Sequence, residues 1–134
     1  MSRRFLLDTN ILSALLKDPH GAVAAHIARV GEDAVATSII VAAELRYGAA
    51  KKGSARLTER VDALLGRLPV LAIEAPCDAV YGEIRAELDR RGRTIGANDL
   101  LIASHAIVAD RILVSDNVAE FSRIAALRLE NWLR

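Results

Sequence analysis

The chain has 134 residues and a formal net charge of +1, with 52% hydrophobic and 4% aromatic residues. This length is usual for one domain, and we expect residues 1–134 to form a single domain whose core consists of Ala, Leu, Ile and Val. The balanced charge excludes a long basic or acidic tail, although nucleic-acid binding stays open because it depends on local patches.

Targeting and disulfide signals are weak in this sequence. Cys77 is the single cysteine and forms no internal disulfide, which fits a reducing compartment. The N-terminal segment MSRRFLLDTN contains too few consecutive apolar residues for a signal peptide. No apolar run approaches the ~20 residues of a membrane span, so we expect a soluble cytoplasmic protein.

The first half of the chain predicts two short strands and three helices. Residues 4–7 form an apolar run stopped by Asp-Thr-Asn, which indicates a buried strand. Apolar residues at helical spacing predict helices over residues 10–17 and 21–30. Residues 34–37 are interpreted as the second strand, and Ser38 is suited to cap a helix that continues through Glu44 to about residue 50.

The second half continues the alternation of helices and strands. Short apolar runs predict further strands, at residues 70–73, 112–114 and, more weakly, 127–129. Apolar residues about four apart predict the helices between them, over residues 55–65, over residues 78–91 and, after a turn at 94–96, from Asp99 onward. Short strands alternating with helices indicate a parallel α/β sheet covered on both faces, whose sites lie at the carboxyl ends of the strands.

Four acids lie in apolar neighbourhoods where a strand ends, or at the start of or inside a helix: Asp8, Glu44, Asp99 and Asp116. Isolated acids are rarely buried without a partner, so their convergence on a hard divalent metal explains the set. Mg²⁺ and Mn²⁺ prefer carboxylate oxygen and water, and two such ions activate a water and stabilise the leaving oxygen of a phosphodiester.

Each acid also has a simpler interpretation when taken alone. Asp8 and Asp99 are suited to cap helices, Asp116 is suited to start a turn, and Glu44 is compatible with a solvated helix face. The histidines at positions 20, 26 and 105 show no metal-ligand spacing, and we expect structural or surface roles for them. No P-loop, GxSxG, HExxH or GxGxxG motif is present.

Segments distributed over nearly the whole chain carry a family resemblance: LLDTNI, SIIVAAELRYGA, RTIGANDLLIASHA, LVSDNVAEFSRI and LRLENW. In this order and spacing they resemble the PIN-domain ribonucleases, specifically the VapC-type toxins of type II toxin–antitoxin pairs. The resemblance implies a three-layer α/β/α sandwich with a mostly parallel, roughly five-stranded central sheet. It also implies that the acids form a Mg²⁺ or Mn²⁺ site that cleaves RNA.

The resemblance assigns the metal-binding and catalytic acids residue by residue. By position these are Asp8, Glu44 and Asp99, with Asp116 or its neighbour Asn117 at the final, more variable acidic position. It further implies polar support from neighbouring side chains, namely Thr9, Asn10, Ser38, Asn117 and Glu120.

Partners follow from the same resemblance. A cognate antitoxin is expected to lay its C-terminal segment in an apolar groove and cover the acids. A toxin homodimer is expected as well, with a larger toxin–antitoxin assembly as the alternative. The Ala-rich early helices are candidates for both surfaces, although core packing explains most of those residues equally well. The substrate implied is transfer RNA, especially the initiator, or ribosomal RNA.

Phosphodiester substrates also need cationic contacts outside the acids. Two basic groups are candidates, one consisting of Arg85, Arg90, Arg91 and Arg93 and the other of Arg46, Lys51 and Lys52. Solvated helix faces and helix C-terminal charges explain any one of them equally well. Because few aromatic residues are available for stacking, we expect a folded RNA read by shape and one exposed loop.

Other functions use parts of the same pattern. A phosphatase with Asp8 as nucleophile would share the strand followed by Asp, but Asn10 stands where such enzymes usually place a second Asp. A PIN fold retained for binding without catalysis is disfavoured by the intact acids. A structure-specific DNA nuclease would share the chemistry, and the sequence does not separate it from a ribonuclease.

Overall fold

The structure is a computed structural model that describes residues 3–134. A five-stranded sheet forms its centre, with strands β1 (Phe5–Leu7), β2 (Val35–Ser38), β3 (Val70–Leu71), β4 (Ile112–Val114) and β5 (Leu129–Glu130). The strand order is β3-β2-β1-β4-β5, and every neighbouring pair is parallel. The predicted parallel α/β fold is confirmed.

Helices occupy the connections between the strands. They are α1 (Thr9–Lys17), α2 (Ala22–Val30), α3 (Ile39–Lys52), α4 (Ala55–Arg67), α5 (Cys77–Arg90), α6 (Ala97–Val108) and α7 (Val118–Phe121), with a 3-10 turn at Glu32–Ala34. Ser38 and Ser54 start α3 and α4 as side-chain caps, and Gly53 ends α3 in the left-handed conformation with φ 64°. That conformation is readily adopted by Gly and is common just past a helix end.

The register of the central strands sets the position of the site. All three residues of β1 are buried, as expected for the middle strand of a covered parallel sheet. Leu7 is aligned with Thr37 of β2 and with Val114 of β4. The residues that follow, Asp8, Ser38 and Ser115, therefore reach the carboxyl edge of the sheet at the same level.

Several element boundaries differ from the sequence-based expectation. The third strand is only two residues long, because just Val70 and Leu71 pair with β2. The fifth strand lies at Leu129–Glu130 rather than at residues 127–129, since the amide of Leu127 closes a turn onto the carbonyl of Ile124. The sixth helix begins at Ala97, which places Asp99 within its first turn, and α7 was not predicted.

The C-terminal segment is packed into the core. Trp132 is 2% exposed, meets the ring of Phe5 edge-on with ring centres 5.1 Å apart, and stacks on His26 at 5.0 Å. This ties the end of the chain to β1 and α2. Across residues 3–134, the helices are too short or too polar for a membrane-spanning role.

Candidate functional site

A cavity of about 530 Å³ opens beside the carboxyl edge of the sheet. Three of the predicted acids line it together with the predicted supporting side chains of Thr9, Asn10 and Asn117. The complete lining is Asp8, Thr9, Asn10, Ser13, Ala14, Lys17, Glu44, Asp99 and Asn117. We call this space the acid cavity. Its walls come from α1, α3, α6 and the loop after β4, which are far apart in sequence.

Asp8 directly follows β1 and is 4% exposed. It is the N-cap of α1, and its Oδ1 accepts a hydrogen bond from the amide of Thr9 at 2.8 Å. Its Oδ2 accepts from the hydroxyl of Ser115 at 2.7 Å. Burial raises the pKa of Asp8 and the charge of Glu44 raises it further, against the lowering effect of these two hydrogen bonds. Helix capping and a position in the cavity are thus combined in one residue.

Glu44 projects into the acid cavity from α3 and is half-buried. Its Oε1 accepts a hydrogen bond from the hydroxyl of Thr9 at 2.7 Å. Thr9 is the first residue of α1 and directly follows Asp8 in the sequence. This bond therefore fixes the position of the Glu44 carboxylate relative to Asp8. A solvated Glu on a free helix face would have no such partner on another helix.

Asp99 is half-buried in the first turn of α6. The cap of this helix is Gly96, so Asp99 does not have the capping role that its sequence context also allowed. Burial raises its pKa to about 6, assisted by the negative charges of Asp8, Glu120 and Glu44. Asn117 Nδ2 donates to Oδ2 of Asp99 at 3.3 Å and opposes this rise. The acids are therefore close enough to repel one another.

Ser115 is a site residue that the sequence reasoning missed. It is fully buried and its hydroxyl donates to Asp8 while accepting from the amide of Asn117 at 3.0 Å and from Asn10 Nδ2 at 3.4 Å. One donor and two acceptor positions are the full capacity of a hydroxyl. Its signal in the sequence is its place directly after β4, as Asp8 directly follows β1.

Asp116 and Asn117 have different partners. Oδ1 of Asp116 accepts from Asn131 Nδ2 at 2.9 Å and pairs with Arg134 Nε at 3.3 Å, and the backbone amide of Asp116 donates to Asn10 Oδ1 at 3.0 Å. Asn117, and not Asp116, is among the described residues that line the acid cavity. Glu120 is half-buried in α7 and acts on the cavity through its charge on Asp99.

Ser38 supports α3 rather than lining the cavity. It is fully buried, its Oγ accepts from the amide of Ile40 at 3.1 Å, and the same oxygen lies 2.8 Å from Nδ1 of His105. Burial lowers the pKa of His105, which favours the neutral imidazole. These contacts are consistent with the structural roles expected for His105 and, through its stacking on Trp132, for His26.

The predicted basic clusters lie outside the acid cavity. On α5, Arg85 donates to the hydroxyl of Tyr81 at 2.8 Å and Arg90 pairs with Glu87 at 2.7 Å, while Arg91 and Arg93 are exposed beyond the helix. On α3, Arg46 pairs with Asp62 of α4 and Lys51 lies 5.9 Å from the ring centre of Tyr47. The cation in the described lining of the cavity is Lys17, which the sequence reasoning did not select.

The donor set of the cavity suits a hard divalent cation. Its acids offer carboxylate oxygens, the ligand type that Mg²⁺ and Mn²⁺ prefer. Within residues 3–134, no group of three or more His, Cys, Asp or Glu side chains is arranged to hold an ion by itself. Mg²⁺ is usually bound through one or two carboxylates plus water and substrate phosphate, so this spacing remains compatible with it.

Comparison with known proteins identifies the family. The model of the PIN domain family matches residues 5–127. A ribonuclease VapC2 from Rickettsia felis is 43% identical over 96% of this chain and 97% of that protein. The chain belongs to the PIN-domain family, among the VapC-type ribonucleases. Another relative, the tRNA(fMet)-specific endonuclease VapC from Shigella flexneri, is 35% identical over 96% of this PIN-domain chain and 98% of its own length.

Solved structures show the same fold. A crystal structure of VapBC2 from Rickettsia felis bound to a promoter DNA fragment contains a chain with a TM-score of 0.89 and 40% identity to this PIN domain, covering 96% of this chain and 98% of the other. A DNA-bound VapBC from Salmonella typhimurium gives a TM-score of 0.88 at 32% identity, over 97% of this chain and 98% of the other. The expected α/β/α fold of the family is therefore confirmed.

Proposed function

We propose that this chain is the toxin of a type II toxin–antitoxin pair and that it cleaves transfer RNA, in particular the initiator, with Mg²⁺ or Mn²⁺. The observation that carries the proposal is the acid cavity, where Asp8, Glu44 and Asp99 share one space. RNA as the substrate class is supported by relatives named as ribonucleases, one of them specific for tRNA(fMet). We also propose that residues 1–134 form one domain, which carries this function.

The chain's own residues position the acids for this chemistry. Thr9 holds Oε1 of Glu44 and Asn117 holds Oδ2 of Asp99, and among the described residues the second oxygen of each carboxylate keeps its lone pairs for a ligand. Asp8 accepts one bond at each oxygen, and each oxygen has capacity for a second. A divalent cation supplies activation of water and stabilisation of charge on the phosphoryl oxygens.

Asn117 is our assignment for the last polar position of the site. It lines the acid cavity and donates to Asp99, whereas the carboxylate of Asp116 is engaged by Asn131 and Arg134. Glu120 adds negative charge near Asp99. Ser115 accepts from the amide of Asn117 and from Asn10 and donates to Asp8. Because Asn117 also donates to Asp99, a displacement of the loop after β4 would disturb the hydrogen bonds of both Asp8 and Asp99.

A separate apolar groove is the candidate surface for the antitoxin. It has a volume of about 410 Å³ and lies between α1, α2 and α4, with Leu12, Leu15, Ile27, Ala28 and Leu64 among its lining residues. The VapBC structures that share this fold support a protein partner for this chain. An amphipathic helix or an apolar segment is the partner that such a groove takes. A toxin homodimer remains a prediction.

The substrate proposal is tested by mapping RNA ends in cells. Brief induction of the wild-type chain should produce new 5′ ends at a single position in the initiator tRNA, and the Asp99→Asn variant should produce none. New ends confined to ribosomal RNA would contradict the tRNA assignment and keep the ribonuclease. DNA ends would be mapped in the same cells, and new ends in DNA without new ends in RNA would favour a structure-specific DNA nuclease over a ribonuclease.

A further inference from the structure

A second groove continues from the acid cavity along α1, α3 and α4. It has a volume of about 390 Å³, and Thr9, Ser13, Lys17 and Glu44 line both spaces. The acid cavity and this groove are therefore one continuous surface. We call the second space the basic groove.

The basic groove combines an apolar floor with cations. Leu45 and Leu57 are part of the floor, and Lys17, Lys52 and Arg60 are exposed along it. Glu44, at the junction with the acid cavity, is the one acid in its described lining.

The cations of the basic groove have no carboxylate partner in the part of the chain that the structure describes. None of the three forms an ion pair with a carboxylate within residues 3–134. Arg60 donates instead to the carbonyl of Leu16, at the end of α1. The groove thus offers positive charge beside a negatively charged cavity.

We infer that the basic groove holds the substrate RNA next to the cleaved bond, with Lys17 and Lys52 binding backbone phosphates on one side of it. This inference rests on the proposed function. From Thr9 to Lys17, α1 rises about 12 Å at 1.5 Å per residue. A stacked strand with one phosphate every ~3.4 Å covers that length with about three or four nucleotides.

RNA fits this groove better than a segment of the antitoxin does. A polyanion gains from cations that have no carboxylate partner, and its sugar and base faces are compatible with an apolar floor. The apolar groove between α1, α2 and α4 is the better match for a peptide, because Arg67, the one cation among its described lining residues, is paired with Glu32. The arginines on and after α5 line neither the acid cavity nor the basic groove.

Two adjacent lysines of α3 provide a matched test. Lys52 lines the basic groove, whereas Lys51 lies outside its described lining and against Tyr47. Both residues are exposed in the last turn of the helix, so Lys52→Glu and Lys51→Glu change the helix charge equally. The binding of an initiator tRNA transcript would be measured across a salt series, with each change made in an Asp99→Asn background that does not cleave.

We expect Lys52→Glu to weaken binding several-fold at low salt. It should also flatten the slope of log affinity against log salt by about 0.7 per lost phosphate contact in a single strand, while Lys51→Glu leaves the slope unchanged. Lys17→Gln should have the same direction of effect as Lys52→Glu. In the cleaving protein, Lys52→Glu should raise KM and leave kcat close to the wild-type value.

The outcomes separate this inference from the proposed function. If the wild-type chain cleaves the transcript and Lys52→Glu matches Lys51→Glu in affinity and slope, the basic groove is overturned and the ribonuclease stands. If Lys52→Glu weakens the antitoxin complex but not tRNA binding, the groove belongs to the antitoxin and the inference is also overturned. If the wild-type chain neither binds nor cleaves RNA, the proposed function fails and the inference fails with it.

Discussion

Single side chains determine how the acids of this PIN domain are oriented. Asp8, Glu44 and Asp99 come from different segments, and each carboxylate is held by a hydroxyl or an amide from another part of the chain. These bonds fix the carboxylates without neutralising them. The acids therefore continue to repel one another, and we expect a bound divalent cation to relieve that repulsion.

The clearest consequence concerns Asp99→Asn. The pKa of Asp99 is raised to about 6 from an ordinary value of 3.8, so its contribution to stability is fully present below pH ~4 and is lost as the pH rises through about 6. In metal-free protein we expect Asn at this position to remove that loss. At pH 7.5 the variant should be more stable than the wild type by about 1 kcal/mol, since solvent screens a half-buried group.

Urea unfolding with EDTA at pH 4.5 and pH 7.5 measures this difference, and RNA cleavage by the same variant should be abolished. Asp116→Asn is the matched control, because the carboxylate of Asp116 is engaged by Asn131 and Arg134 and we expect it to retain cleavage. An Asp99→Asn variant that is strongly destabilised at pH 7.5 would give Asp99 a structural role instead.

Ser115→Ala tests the hydroxyl that joins the acids to the loop after β4. The change removes the donor to Asp8 and leaves the amide of Asn117 without its acceptor, which should cost about 1–3 kcal/mol for buried groups. The pKa of Asp8 should rise further, and cleavage should fall at a given pH. Denaturant unfolding and a pH profile of cleavage check this, with the exposed Ser122→Ala as control.

At the scale of helices and strands, caps position the site. Ser38 starts α3, which carries Glu44, and its oxygen also meets the buried His105 of α6. We expect Ser38→Ala to lower the free energy of unfolding by about 1–2 kcal/mol while cleavage per folded molecule stays close to wild type. Ser54→Ala, which removes the cap of α4, is the comparison for loss of a cap alone. A total loss of cleavage in stable Ser38→Ala protein would place Ser38 in the chemistry.

Much of the fold is visible in the sequence because the helices carry apolar stripes and recognisable caps. The ends of β3 and β5 are not visible in the sequence, because each strand is only two residues long. Each is defined by its pairing, β3 with β2 and β5 with β4. A short apolar run contains no information on its partner's register.

The same limit applies to the candidate site. Asp8, Glu44 and Asp99 were predictable as acids in apolar surroundings. The role of Ser115 was not, because it depends on the register of β4 beside β1. The separate partners of Asp116 and Asn117 depend on the C-terminal segment, which supplies Asn131 and Arg134.

At the scale of the whole molecule, α1 lies between two surfaces of different chemistry. One is the acid cavity with its basic groove, and the other is the apolar groove shared with α2 and α4. An antitoxin seated in the apolar groove would have to pass over α1 to reach the acids. Binding and inhibition should therefore be separable by substitution.

Ala28→Glu tests the apolar groove. Ala28 is exposed and lines the groove, so a charge there should weaken the antitoxin complex at least tenfold without altering the fold or cleavage. Ala25→Glu is the matched control, as Ala25 is exposed on the same helix and outside the described lining. The affinity of the purified antitoxin for each variant checks this prediction. Equal affinities would show that the antitoxin binds a surface other than the apolar groove.

The most direct measurement is cleavage of an initiator tRNA transcript by antitoxin-free protein in EDTA, followed by titration with Mn²⁺ or Mg²⁺. We expect no cleavage in EDTA, recovery with either ion, and no recovery in Asp8→Asn or Glu44→Gln, whose side chains line the acid cavity. Cleavage that continues undiminished in EDTA, or that returns in both variants on adding the ion, would contradict a metal-dependent site built from these acids.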